Sequence, residues 1–218
     1  MPADTDLPLV LIGAGGHARV LHALGVAAGL RFMGVCDPVL TQKGERFWNQ
    51  LPVIDSEAAL ERLPRDSVRL VNGIGKVVGN NIRQQVYARL SKVGFRFATL
   101  IHPAAWVAPD VQLSDGVQIM AGAVVQPGCT IGADCIINTR ASVDHDCIIG
   151  NHVHVAPGAT LCGSVEVADN AFIGAGAVVI QTIRIGSGAV VAAGATVARD
   201  LLPDHILMPG KAARPIKQ

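Results

Sequence analysis

From Ile101 to Leu202 the chain, cut into sixes, reads IHPAAW VAPDVQ LSDGVQ IMAGAV VQPGCT IGADCI INTRAS VDHDCI IGNHVH VAPGAT LCGSVE VADNAF IGAGAV VIQTIR IGSGAV VAAGAT VARDLL. Every hexad opens on Ile, Leu or Val, and the register holds from Ile101 through Val197. The fifth position is restricted as well, mostly to Ala, Val or Cys, as at Ala123, Cys135, Val153 and Ala189. A helix would space its apolar residues three and four apart, and this density of Gly and Pro would break it. An ordinary half-buried strand alternates with period two over a few residues and then turns. A sustained period of six, β-branched at position one and small at position five, specifies a parallel β-helix of hexapeptide repeats. Three hexads complete a triangular coil, so residues 18 apart stack, and seventeen hexads make between five and six coils. Positions three and four face outward. Cys129, Cys135 and Cys147 occupy fifth positions and read as small buried hydrophobes. No CxxC spacing points to zinc or a redox pair.

Composition agrees with thin stacked coils. Half of the 218 residues are hydrophobic but only 4% are aromatic. A net charge of +1 gives no electrostatic case for nucleic acid or an anionic membrane. No stretch approaches the roughly 18 apolar residues of a transmembrane helix. The start, MPADTDLPLVLIG, carries acids and a Pro where a signal peptide would be basic, so a cytoplasmic location is expected.

Before the hexads, residues 1–98 alternate strand and helix, which predicts a small Rossmann-like α/β domain. PLVLI runs into GAGGHARVLHAL: a strand, a glycine turn and a helix. Gly13, Gly15 and Ala18 fit G-x-G-x-x-G/A, in which the backbone approaches a phosphate at a helix N-terminus. The same glycines would also serve a turn that merely connects strand to helix. Asp37 ends a second strand, where an acid can accept from ribose hydroxyls; before Pro38 it reads equally as a turn residue. Residues 39–51 read as loop. LPVIDSEAALERL is a strand and then a helix with Ser56 as N-cap, and DSVRLVNGIG a strand running into glycines. NNIRQQVYARLSKVG is a helix with Gly94 at C′, and FRFATLI a last strand. The domain is too short for two mononucleotide-binding halves, which argues for a single nucleotide-type ligand.

Histidines stand out among the exposed hexad positions. His145 is at position three of VDHDCI, while His154, at position six of the next hexad, lies half a coil away. The two therefore face different grooves of one prism and can share a site only between copies. One coil above His145 stands Gly163, which would leave room for a ligand. An imidazole titrating near neutral can remove a proton from an attacking amine or hydroxyl, and a carboxylate, Asp144 or Asp146, can fix its tautomer. Solvated surface histidines are the plain alternative. A metal site of His145, His152 and His154 lacks a partnering Cys or Glu. Ser142 and Cys162 lack the neighbours of a nucleophile.

LIGAGGHARV, NNIRQQVYARLSKVGFRFATLIHPAAWVAP, INTRASVDHDCIIGNHVHVAPGATLCG and MPGKAARPIK together resemble the bacterial sugar acetyltransferases of the bacillosamine-pathway and sialic-acid O-acetyltransferase type. The resemblance implies a nucleotide-sugar-binding domain over residues 1–98, a left-handed β-helix over 99–202 and a capping tail over 203–218. It implies a homotrimer with sites between subunits, and direct transfer from acetyl-CoA to the amine of a nucleotide-linked amino-deoxy sugar, with no metal. His145 would be the general base and Asp146 its support. His154, Gly163, Asn138, Ala175 and Ala193 would line the acetyl-CoA site, with Lys211 and Arg214 candidates for its phosphates. Gly13, Gly15, Gly16, His17, Asp37 and Gly75 would hold the nucleotide sugar. Two features depart from the pattern: Ala193 stands where relatives often have glycine, and extra residues separate Gly75 from Asn80. Rival readings are O-acetylation of a sialic-acid-type sugar and a non-catalytic nucleotide-binding trimeric scaffold.

Overall fold

Leu9–Ile12 forms strand β1, all four residues buried, as a central strand of a parallel sheet requires. The structure, a computed structural model, describes residues 7–54, 59–60 and 62–216. The chain divides into two units at Leu100/Ile101.

In the first unit β1 is followed by helix α1 (Gly16–Ala27), strand β2 (Phe32–Cys36), helix α2 (Pro38–Gln42), strands β3 (Phe47–Trp48), β4 (Leu51–Ile54) and β5 (Arg69–Asn72), and helix α3 (Ile82–Lys92). The sheet order is β3-β4-β2-β1-β5. β1 pairs in parallel with both β2 and β5, and β2 with β4. The order reverses beside β1, since β2 and β4 add on one side and β5 on the other. Val10, Ile12, Leu70, Val86 and Leu90 pack α3 onto one face.

The 39–51 segment is more ordered than a loop. Asp37 caps α2, its Oδ1 accepting from the N–H groups of Val39 (2.8 Å) and Leu40 (3.1 Å), with Pro38 opening the helix. β3 then pairs antiparallel with β4 across Asn49 and Gln50, both at positive φ. FRFATLI is not one strand. Phe97 bridges to Leu70, whereas Leu100–Ile101 belongs to the β-helix. Gly94 is the C′ residue of α3 at φ 96°, with Gly94 N–H donating to Ser91 O and Phe95 N–H to Leu90 O. Ser56 lies outside the described residues.

The second unit is a prism of three parallel faces. The first runs from Leu100–Ile101 through Ile136–Ile137, His154–Val155 and Phe172–Ile173 to Val190–Val191. The second runs from Trp106–Val107 through Ser142–Val143 to Thr196–Val197, and the third from Gln112–Leu113 through Ile148–Ile149 to Arg184–Ile185. Pairs are 18 apart, as in Val125↔Val143↔Leu161↔Val179. From Ile119 to Val197 every first-position residue is buried, along with the fifth-position cysteines and alanines. The tail is not a separate body. His205–Leu207 pairs in parallel with Val190–Val191, and Arg214–Pro215 folds back antiparallel on it, so the tail continues the first face. Among the described residues no helix is long and apolar enough to cross a membrane.

Each corner needs a left-handed residue, and from Gly116 to Gly194 position four supplies it in every hexad. Gly, Asn and Asp tolerate this region, but a β-branched residue is strained in it. Thr182 sits there at φ 61°. Thr182→Gly removes a left-handed penalty of about 1–2 kcal/mol and adds a smaller unfolded-state entropy cost. The variant should be more stable by up to about 1 kcal/mol in urea unfolding.

Candidate active site

The corner between the second and third faces holds Asp144, His145 and Asp146. Asp146 takes the left-handed position at φ 58°. Neighbouring side chains of a straight strand point to opposite sides, but this turn brings them together: His145 Nδ1 lies 2.8 Å from Asp146 Oδ2. A carboxylate can only accept, so Nδ1 carries the proton and Nε2 is left as an open base. Asp144 serves the backbone instead, its Oδ1 accepting from the His145 N–H at 2.7 Å. The imidazole is 60% exposed. The hydrogen bond to Asp146, reinforced by the charges of Asp144 and Asp146, raises its pKa above the ordinary imidazole value.

Gly163 does not leave an empty berth over this histidine. A Cβ there would lie 2.6 Å from both Cε1 and Nε2 of His145, so the ring itself occupies that space. One coil below Asp146, a Cβ on Gly128 would collide with Asp146 Oδ1. The pair is thus seated between two glycines. Cys129 supports it from the interior, its thiol donating to Asp144 O at 3.0 Å.

A second group forms on the first face. His154 Nε2 lies 3.0 Å from Asn138 Nδ2, and since the amide nitrogen only donates, Nε2 accepts. The ring is buried at 9% exposure and meets Phe172 edge-on at 5.1 Å. Asn138 leads into the corner between the first and second faces. Higher on that corner Ala175 and Ala193 are exposed, stacked by Gly194 N–H donating to Ala175 O. The structure therefore brings His145 and Asp146 together on Gly163, and brings His154 and Asn138 together, with the second face between the two groups. His152 belongs to neither: at the remaining corner its Nδ1 lies 3.0 Å from the buried Asp134, one coil below.

In the first unit the glycine loop sits at the carboxyl end of β1, where the sheet order reverses, the place at which open α/β sheets bind ligands. Gly15 is the N-cap of α1 with no side-chain hydrogen bond, and Gly15 and Gly16 face open space. Gly13, at φ 91°, lies against Ile74, and Gly75 against the Cβ of His17. Asp37 is occupied otherwise than by a ribose. Besides capping α2 it accepts from the Ala14 N–H through Oδ2 at 2.9 Å, so it anchors the glycine loop. The residues between Gly75 and Asn80 form a tight hairpin, Val77 bridging to Asn80. Asn72 and Arg83 hold the facing turn around Gly73, and neither carries a signal in the sequence, where only the glycines mark the strand end. Lys211 and Arg214 are exposed in the tail.

Residues 8–90 match the family described as the PglD N-terminal domain, and residues 128–163 and 164–199 that of bacterial transferase hexapeptide (six repeats). Over 96% of the chain and 98% of its own length, the acetyltransferase domain of PglB from Neisseria gonorrhoeae, in complex with acetyl coenzyme A, is 34% identical, with a TM-score of 0.85. The chain belongs to the bacterial sugar acetyltransferases. A histidine-to-asparagine variant of perosamine N-acetyltransferase from Caulobacter crescentus, in complex with CoA and GDP-perosamine, is 35% identical over 97% of both chains, with a TM-score of 0.86. UDP-N-acetylbacillosamine N-acetyltransferase of Bacillus subtilis is 39% identical over 116 residues, 52% of this chain and 51% of that relative. The chain thus matches about half the length of this curated relative. The family's fold, a Rossmann-like unit followed by a left-handed β-helix, is the fold described above.

If the seat of His145 on Gly163 sets the position of Nε2, Gly163→Ala should push the ring aside. A displacement of about 1 Å corresponds to a loss on the order of 10²-fold in turnover. Steady-state kinetics alongside a melting curve check this, and the melting temperature should move little by comparison.

Proposed function

We propose that this chain is an acetyl-CoA-dependent N-acetyltransferase acting on the amine of a nucleotide-linked amino-deoxy sugar for surface glycan biosynthesis, with His145 as general base. The observation that carries the reading is the exposed His145–Asp146 pair, in which Asp146 binds Nδ1 and leaves Nε2 to act as a base. Relatives similar along nearly the whole chain hold acetyl-CoA, or CoA with a nucleotide-linked amino sugar.

A thioester is already activated, so the protein needs no nucleophile of its own. His145 Nε2 takes the proton from the amine as its lone pair attacks the acetyl carbon. The new C–N bond forms, the C–S bond breaks, and the proton passes to the departing sulfur. Asp146, bound to Nδ1, holds the reactive tautomer and stabilises the imidazolium. Asn138 and His154 on the first face, with Ala175 and Ala193 on the corner beyond, are proposed to line the acetyl-CoA groove, with Lys211 and Arg214 toward its phosphates. Since the second face separates these residues from His145 within one chain, the reading places the site between copies of a homotrimer. In the first unit the N-terminus of α1, at Gly15, Gly16 and His17, suits a diphosphate. Asp37 and Gly75 shape the loops around it. The location proposed is cytoplasmic, where acetyl-CoA and sugar nucleotides meet.

CoA release measured against amino-sugar nucleotides and against sialic acids tests the substrate class. Acetylation of the amine alone is expected; transfer only to a hydroxyl would overturn the reading. His145→Asn should lower turnover at least about 10²-fold, the low end for loss of a general base, while ligand binding is kept. Unchanged turnover would remove His145 from the mechanism.

The base works unprotonated, so its raised pKa moves the acid limb of the kcat/KM profile to higher pH than an ordinary imidazole would give. Asp146→Asn removes the main cause of that shift. The limb should move to lower pH while the plateau rate falls, as pH–rate profiles of both proteins would show.

A further inference from the structure

Two turns meet at the carboxyl ends of the paired strands β1 and β5. One is the Gly13–His17 turn, anchored by Asp37. The other is the Asn72–Gly75 turn at the end of β5, which must sit close to the first. Gly73 N–H donates to Ile12 O at 2.8 Å, and a Cβ on Gly73 would come within 2.8 Å of that oxygen and 3.0 Å of the Ala18 Cβ. The Ile74 side chain lies against Gly13, and Gly75 against His17.

Arg83 holds this second turn. It projects from the first turn of α3 and is 3% exposed. Its Nη1 donates to the main-chain oxygens of Ile74 at 2.6 Å and Asn72 at 3.0 Å. Asn72, 1% exposed, answers in both directions: Nδ2 donates to Arg83 O at 3.2 Å, and Oδ1 accepts from Ile74 N–H at 3.3 Å. A charged side chain is costly to bury unless its donors are used. Here two of its hydrogen bonds go to the carbonyls of one short turn. Held this way, the turn presents its backbone and Gly75 toward His17 in a single arrangement before any ligand arrives, which lowers the ordering cost of binding.

We infer that Arg83, paired with Asn72, is a positioning residue for the nucleotide end of the substrate site, setting the Asn72–Gly75 turn against the Gly13–His17 turn so that a sugar nucleotide meets two pre-set backbones side by side. The inference rests on the proposed function, because it takes a nucleotide-linked sugar as the ligand of these two turns. It assigns Arg83 no contact with the reacting atoms. Its loss therefore acts on nucleotide-sugar affinity and leaves the acyl-transfer step and acetyl-CoA affinity alone.

The test compares wild type, Arg83→Met, Arg83→Lys and Asn72→Asp. Calorimetry with UDP, GDP and dTDP is run beside steady-state kinetics with both substrates varied. Without these bonds the turn must be ordered on binding, so Arg83→Met should weaken binding of the preferred nucleotide on the order of ten-fold. It should raise KM for the sugar nucleotide in step, with kcat at saturation and KM for acetyl-CoA unchanged. Arg83→Lys, which keeps the charge on a single donor nitrogen, should recover part of the loss. Asn72→Asp, nearly isosteric, should show the same split should Arg83→Met not fold. Folded variants with wild-type nucleotide affinity would overturn the inference, as would a loss shared equally with kcat and the acetyl-CoA KM. A wild-type protein that binds none of the three nucleotides and acetylates no amino sugar would instead overturn the functional reading beneath it.

Discussion

The hydrogen-bonded stacking of each residue on the one 18 positions later governs the second unit. Strands of two residues, such as Ser142–Val143 on Val124–Val125 and under Thr160–Leu161, have no stability alone. They persist because every coil pairs its backbone with the coils above and below and buries one branched and one small side chain per hexad. The same ladder requires a sharp corner after every strand, and the left-handed residue at position four meets that requirement. Composition follows from these demands: branched aliphatics at position one, small residues at five, Gly or a polar residue at four, and few rings anywhere.

The corners are also where chemistry becomes possible. A flat parallel sheet presents one residue per strand to each side, but a corner turns two adjacent residues outward together. His145 and Asp146 meet only because Asp146 is the left-handed residue of its hexad. Vertical stacking then supplies the seat, with Gly163 above His145 and Gly128 below Asp146. Interior thiols finish the backbone where the ladder leaves carbonyls over. Cys129 donates to Asp144 O, Cys135 to Gly150 O at 2.9 Å and Cys147 to Cys162 O at 3.2 Å. The cysteines are therefore more than small apolar fillers.

The first unit reaches its site by a different route. A parallel sheet leaves its loops at the carboxyl ends of the strands, and a reversal of strand order opens a crevice between two of them. Both loops here are glycine-rich because their backbones approach closely, as Gly13 against Ile74 and Gly73 against Ile12 show. Each is tied by a residue outside the glycine motif, Asp37 for one and Arg83 for the other.

Local pattern in the amino-acid sequence determined much of this protein. The period of six dictated the β-helix because one hexad is one strand and one corner, a repeat that composition displays directly. Its register told which residues face out, and so singled out His145 and set His154 half a coil away. Gly94 was legible as a helix end because C′ chemistry is local. Tertiary structure alone decided what depends on residues distant in the chain or on side-chain direction. It chose Asp146 over Asp144 for the His145 ring, since the backbone twist at φ 58° aims one carboxylate at Nδ1 and leaves the other to the main chain. It filled the space over Gly163 with the imidazole itself and turned Asp37 inward to hold a loop. It also put Arg83 against Asn72 and Ile74, a contact across a loop and a helix turn that no spacing rule encodes. Sheet order, which sets the two turns side by side, arises from long-range pairing of β1 with β5, and periodicity carries no information about which strands become neighbours.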